Sequence, residues 1–177
     1  MTLNPEKHHR KTTRLRGYDY RQAGFYFVTI CTNIRICCLG EVVDGEMVLS
    51  GSGRIVRAAW FKLPQHYPYV CLDEFIVMPN HFHGIIQLAE PDSMPRRGGF
   101  RNPPLQPRHG LTEIVRGFKT WSAREINQMR GTPGTKFWQR SFYDHIIRGE
   151  DDLDHVRGYI RDNALKWESD RENPDAK

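Results

Sequence analysis

Leu72-Asp73-Glu74-Phe75-Ile76-Val77-Met78-Pro79-Asn80-His81-Phe82-His83-Gly84-Ile85-Ile86-Gln87-Leu88 is the stretch on which the fold turns. As a single strand it would be too long, and it would hold a proline where a ladder needs an amide donor. Pro79-Asn80 reads instead as a tight turn, with the proline presetting φ. Two strands result, over about residues 72–78 and 81–88, paired as an antiparallel hairpin. Side chains alternate along a strand, so Phe82, Ile86 and Leu88 turn to one face while His81 and His83 turn to the other.

Upstream, Phe25 to Cys31 is aromatic and β-branched and reads as a central strand. Gly40 to Leu49 reads as a small hairpin whose Asp44-Gly45 pair suits a type I′ turn. Ser52 is the expected cap of a helix carrying Ile55, Val56, Ala59, Trp60 and Leu63, which Pro64 and Pro68 help to end. Downstream, residues 89–110 hold five of the eleven prolines and read as a loop. Leu111 to Met129 reads as an amphipathic helix stopped by Gly131-Thr132-Pro133-Gly134, and Phe137-Trp138 with Ser141 to Ile147 as a further strand. Glu150-Asp151-Asp152 opens a last helix striped by Leu153, Val156 and Ile160. Setting the small hairpin aside, the order is β-α-β-β-α-β with an extra C-terminal helix. This is the α+β, ferredoxin-like split βαβ pattern, an antiparallel sheet with two helices on one face. The other face is left for a site, and the last helix can lie across it. The expected organisation is a basic N-terminal arm over 1–22, one domain over 23–167 with the 89–110 loop inside it, and a polar tail over 168–177.

At 177 residues the chain can bury a core without disulfides or a structural metal. No apolar run approaches the ~18 residues of a membrane span, and Met1 to Glu6 has no signal-peptide core. Cys31, Cys37, Cys38 and Cys71 form no C-x-x-C pair and read as reduced cytoplasmic thiols. The formal net charge of +5 is unevenly spread: residues 1–22 carry +4, residues 94–130 carry +6, and the rest is acidic. Two basic regions are a plausible footprint for phosphates. The candidate DNA contacts are Lys7, Arg10, Lys11, Arg14 and Arg16 in the arm, with Arg96, Arg97, Arg101, Arg116 and Lys119 in the second region. Tyr18, Tyr20, Phe100 and Trp121 are placed to stack on unpaired bases; Tyr18 and Tyr20 read equally as anchors of the first strand.

Two imidazoles on one strand face can chelate a single divalent ion, although His-x-His also fits two surface histidines. A histidine-triad hydrolase would need a third alternating histidine where Ile85 stands. In the last helix His155, Tyr159 and Asn163 follow at intervals of four and so lie along one face. Asn163 offers a neutral oxygen acceptable to Mg²⁺ or Mn²⁺. Read alone, Tyr159 also fits a packing role and Asn163 a polar helix end.

Met78-Pro79-Asn80-His81-Phe82-His83-Gly84-Ile85-Ile86 resembles the HUH motif (His, hydrophobic, His) of single-tyrosine transposases, which belong to the HUH endonucleases. Trp138 to Arg148, followed by Tyr159-Ile160-Arg161-Asp162-Asn163, resembles their last strand and tyrosine helix. The pattern is most similar to the REP-associated tyrosine transposases, bacterial proteins linked to repetitive extragenic palindromes. It runs from about Arg14 to Trp167, interrupted by the 89–110 loop. Ala164 departs from it, since a proline often follows the asparagine in that family. The resemblance implies a metal-dependent single-strand DNA nickase and strand transferase working through a 5′-phosphotyrosine. It makes His81, His83 and Asn163 the ligands of Mg²⁺ or Mn²⁺ and Tyr159 the nucleophile. It also implies single-stranded or hairpin DNA as partner and the bacterial cytoplasm, at the nucleoid, as location. His155 and His145 are accessory candidates. A hairpin-DNA-binding regulator without catalysis, and a metal hydrolase using water, are the alternatives; monomer and homodimer both stay open.

Overall fold

A computed structural model describes residues 14–15, 17–90, 109–170 and 172–174 of the chain. Lys7, Arg10, Lys11, Arg16, Arg96, Arg97 and Arg101, with Phe100, lie outside the described residues. The elements are β1 (Gly24–Cys31), β2 (Gly40–Val43), β3 (Glu46–Leu49), α1 (Gly51–Phe61), the short α2 (Leu63–His66), β4 (Val70–Val77), β5 (His81–Leu88), α3 (Leu111–Arg130), β6 (Tyr143–Ile147) and α4 (Glu150–Arg161). Pro79-Asn80 is the turn between β4 and β5, and β5 begins at His81 as the alternation predicts.

Strands β4, β5, β1 and β6 form one sheet in that order, and each neighbouring pair is antiparallel. On one face α1 and α3 bury Tyr26, Val28 and Ile30 of β1 with Phe82, Ile86 and Leu88 of β5, against Val56, Trp60, Ile114, Val115 and Phe118. On the other face a smaller cluster joins Phe27, Ile85 and Ile147 to Leu153, Val156 and Ile160 of α4. Seven of the eight β5 residues are therefore buried, because helices cover both sides of that strand. Histidines on such a strand are withdrawn from water, and this sets the chemistry described below. The hairpin β2–β3 stands apart as a second sheet. Its Asp44 and Gly45 have φ of 51° and 77°, the two positive values that a type I′ turn requires.

Two local expectations are corrected. Ser50, not Ser52, caps α1: its side chain accepts from the Gly53 amide, while Ser52 is buried within the helix and its hydroxyl takes a hydrogen bond from Arg130. Residues 137–142 do not continue the last strand. Trp138 makes one isolated bridge to Thr32, and its indole donates to Ser122 Oγ on α3, which turns the chain away from the ladder. After α4 the chain makes a 3-10 turn at Trp167–Ser169, and Glu172 returns to the end of β1. Tyr18 and Tyr20 pack on Tyr26, with the Tyr18 and Tyr26 hydroxyls 3.2 Å apart, so both act as anchors of the first strand.

Candidate active site

The α4 face of the sheet gathers His81, His83, Tyr159 and Asn163. His81 is fully buried, and His83 and Asn163 are each 2% exposed. The two imidazole centroids stand 4.5 Å apart. Tyr159, 43% exposed, crosses above His83 with its hydroxyl 3.5 Å from His83 Nε2. Asn163, in the turn that follows α4, stands against both His81 and Tyr159. An open pocket of 710 Å³ reaches His83, Tyr159 and Asn163, with His81 buried behind them, and is lined further by Thr29, Tyr143, Lys166, Asp170 and Glu172.

Hydrogen bonds fix how the imidazoles are presented. Asn80 Nδ2 donates to the carbonyls of Arg35 (3.3 Å) and Glu172 (2.6 Å), which turns its Oδ1 toward His81 Nδ1 at 2.8 Å. An amide oxygen cannot donate, so His81 Nδ1 carries the proton and Nε2 is left as a lone pair. Thr29 Oγ1 holds His83 Nδ1 at 2.9 Å, leaving Nε2 to face Tyr159. Burial holds His81 below the ordinary histidine range and His83 well below it. Both rings are therefore neutral near pH 7. The phenol of Tyr159 is pushed above its usual value, first by burial and then by the negative charge of Asp170, against a lowering hydrogen bond from Asn163.

Two buried polar atoms here are orphans: His81 Nε2 and Asn163 Oδ1 make no hydrogen bond. Leaving both unpaired is costly unless something else binds them. A divalent cation fits these donors, because neutral imidazole nitrogens and an amide oxygen are metal ligands that need no deprotonation. Among the described residues no three His, Cys, Asp or Glu side chains gather as a metal cluster, so two imidazoles and one amide make up the candidate set.

Other expected residues fall elsewhere. His145 lies on the α4 side of β6, where its Nε2 bonds Asp152 at 3.0 Å and ties the strand to the start of α4. His155 is exposed on α4 and does not line the pocket. Lys119, expected to reach phosphates, spends its ammonium on the carbonyls of Gln139, Arg140 and Ser141. Arg116 is exposed on α3, and Arg14 lies 3.9 Å from Asp144 and over the Phe142 ring.

Several site residues carry no sequence signal of their own. Asn80 reads as a turn residue, and Asp170 and Glu172 as part of a polar tail. Glu172 pairs with Arg35 at 3.1 Å and accepts from the Cys31 thiol, whose pKa burial pushes up to about 12. Trp167 lies 6.0 Å from the His81 ring and covers it. Helix α4 is pinned by a bidentate pair, Arg157 Nε and Nη2 on Asp73 Oδ1 and Oδ2 at 2.9 and 2.7 Å. Arg161 adds a contact with Glu74 at 3.5 Å. The β4–β5 register shifts between Leu72 and Phe75, and this irregularity lets two consecutive acids reach one helix.

An antiparallel sheet with a tyrosine helix across its histidine face has the fold of a tyrosine transposase. A solved structure of a REP-associated tyrosine transposase bound to a REP hairpin superposes with a TM-score of 0.59 at 23% identity, over 86% of this chain and 73% of that one. A Haemophilus influenzae protein described by that name is 26% identical over 149 residues, covering 84% of this chain and 74% of that protein. An uncharacterised protein of Haemophilus influenzae is 38% identical over 178 residues, covering 93% of each chain. No family model matches. No helix among the described residues is long and apolar enough to cross a membrane.

Proposed function

We propose that the chain is a metal-dependent single-strand DNA endonuclease and strand transferase that nicks beside hairpin or palindromic repeat DNA through a 5′-phosphotyrosine, on a ferredoxin-like sheet. The observation that carries this reading is the meeting of half-exposed Tyr159 with His83 and the unpaired Asn163 Oδ1 in one open pocket, beside the buried His81 whose Nε2 is also unpaired. The relatives and the hairpin bound in the solved neighbour support DNA as substrate.

His81, His83 and Asn163 would hold Mg²⁺ or Mn²⁺, which when bound supplies positive charge that polarises a phosphodiester. Tyr159 provides the nucleophile. Its oxygen attacks phosphorus, the bond from phosphorus to the 3′ oxygen breaks, and a phosphotyrosine bond to the 5′ strand forms. The phenolic proton leaves and the departing 3′ oxygen gains one, so no net proton is consumed. The phosphodiester energy is kept in the protein link, which allows resealing or transfer to another 3′-OH without ATP. An ordinary tyrosine, with pKa ~10, is only about 0.1% phenolate at pH 7, and the raised value here reduces that further. The tyrosine is therefore weak until positive charge enters the pocket. Thr29 and Asn80 keep the imidazoles aimed, and Phe27, packed on both His83 and Tyr159, sets their separation.

The test is a denaturing gel of protein incubated with Mn²⁺ and a hairpin oligonucleotide carrying single-stranded flanks. A covalent protein–DNA band is expected that vanishes with chelator and in Tyr159→Phe. Nicking by Tyr159→Phe at the wild-type rate would refute the assignment.

A further inference from the structure

We propose that a basic groove between α3 and residues 135–142 binds the sugar–phosphate backbone of a single DNA strand that passes round the β6 edge to Tyr159. The inference rests on the DNA reading above and adds to it a second contact site, on the other side of the sheet from the tyrosine.

The groove has a volume of 440 Å³. Arg14, Arg116, Lys136 and Arg140 converge on it from three separate parts of the chain, and among the described residues no acidic side chain lines it. Arg14 also pairs with Asp144 on the adjoining strand, at 3.9 Å. Thr112 adds a hydroxyl, a donor type that contacts phosphate oxygens. Four cations line the groove from both sides, and an extended polyanion is the ligand that uses all of them at once.

The groove is held by buried contacts. Residues 135–142 have no regular ladder, yet Lys119 Nζ reaches three successive carbonyls at 2.7, 3.0 and 3.5 Å, and the buried Trp138 indole bonds Ser122 at 3.0 Å. These contacts set the loop so that Lys136 and Arg140 face Arg116 across the groove. Lys119 is thus a positioning residue, and the exposed arginines are the phosphate contacts.

The groove also leads to the tyrosine pocket. Phe142 lines the groove and Tyr143 lines the pocket, and consecutive residues at an edge strand face opposite sides. Among the described residues β6 is the edge strand of the sheet, with Arg14, Leu15 and Tyr20 lying beside it.

The test uses the double variant Arg116→Ala/Arg140→Ala, with Arg57→Ala/Arg124→Ala as a charge-matched control and melting curves to confirm folding. Fluorescent oligo-dT, a blunt hairpin and a flanked hairpin are titrated at several salt concentrations. The groove variant is expected to bind oligo-dT about tenfold more weakly, with a salt slope reduced by about 1.4, while the control stays at wild type. Unchanged affinity and slope, an equal loss in the control, or no oligo-dT binding by the wild type would overturn the proposal. An equal loss on the blunt hairpin would overturn its single-strand assignment. Oligo-dT binding through the groove without any tyrosine adduct would leave the groove standing and remove the nicking reading. An adduct from the wild type with unaltered binding by the groove variant would do the reverse.

Discussion

Asn80 decides which nitrogen of His81 is free, because its amide is oriented by two carbonyl acceptors before it meets the ring. Asn80→Leu keeps the volume and removes that orientation. Mn²⁺ affinity measured by calorimetry is expected to fall about 10–100-fold, the usual cost of losing a partner that aims a metal-binding histidine. Unchanged affinity would show that the ring needs no such support. Gly84 carries a different constraint. A Cβ there would come within 2.8 Å of the Trp60 ring and of Phe82, all inside the core. Gly84→Ala is expected to cost about 1–3 kcal/mol, read from the urea midpoint. The histidine motif thus ends in glycine because the far side of the strand is filled by an indole. The alternation of His81, Phe82 and His83 made both faces legible in the sequence. The roles of Asn80 and Thr29 were not legible, since each acts across a turn or a neighbouring strand.

Helix α4 is where the sequence pattern stops short. Its apolar stripe of Leu153, Val156 and Ile160 is readable and does dock on the sheet. The polar clamp is not readable, because Asp73 and Glu74 reach Arg157 and Arg161 only through the irregular β4 register. Arg157 lowers the pKa of Asp73. That contribution to stability is present above the unfolded carboxylate value near ~3.9 and is lost as pH falls through the lowered folded value. Asp73→Asn should therefore raise amide exchange in α4 at pH 7, with the difference from wild type shrinking in acid below about pH 4. Equal exchange at neutral pH would show that the apolar stripe alone holds the helix. Lys119 ties α3 to the 139–141 loop, and burial lowers its pKa to about 8. The unfolded chain keeps that proton up to ~10.4, so it binds more protons than the folded chain between the two values. Stability of the wild type relative to Lys119→Met should accordingly rise as pH goes from about 8 to about 10, measured by denaturant unfolding. A flat difference would place the Lys119 ammonium in water.

At the scale of the whole molecule, the sheet separates two tasks. One face carries α1, α3 and the main core, and α3 with the loop before β6 presents the arginine groove at the sheet edge. The opposite face carries α4 and the histidine–tyrosine pocket. The antiparallel order and the position of the last helix were legible because the helical and strand periods in the sequence are unambiguous. The return of Asp170 and Glu172 into the pocket was not legible: a short polar stretch has no period, and its place is set by the turn after α4. Two tyrosines line the pocket, Tyr159 on the helix and Tyr143 on the strand, at 43% and 49% exposure, so the covalent link itself must be located. Wild-type protein is reacted with Mn²⁺ and a flanked hairpin oligonucleotide, digested with nuclease and trypsin, and examined by mass spectrometry. The residual nucleotide is predicted on the peptide Gly158-Tyr159-Ile160-Arg161, released by cleavage after Arg157 and Arg161. Nucleotide mass on the peptide containing Tyr143, or cleaved DNA with no modified peptide at all, would contradict the account.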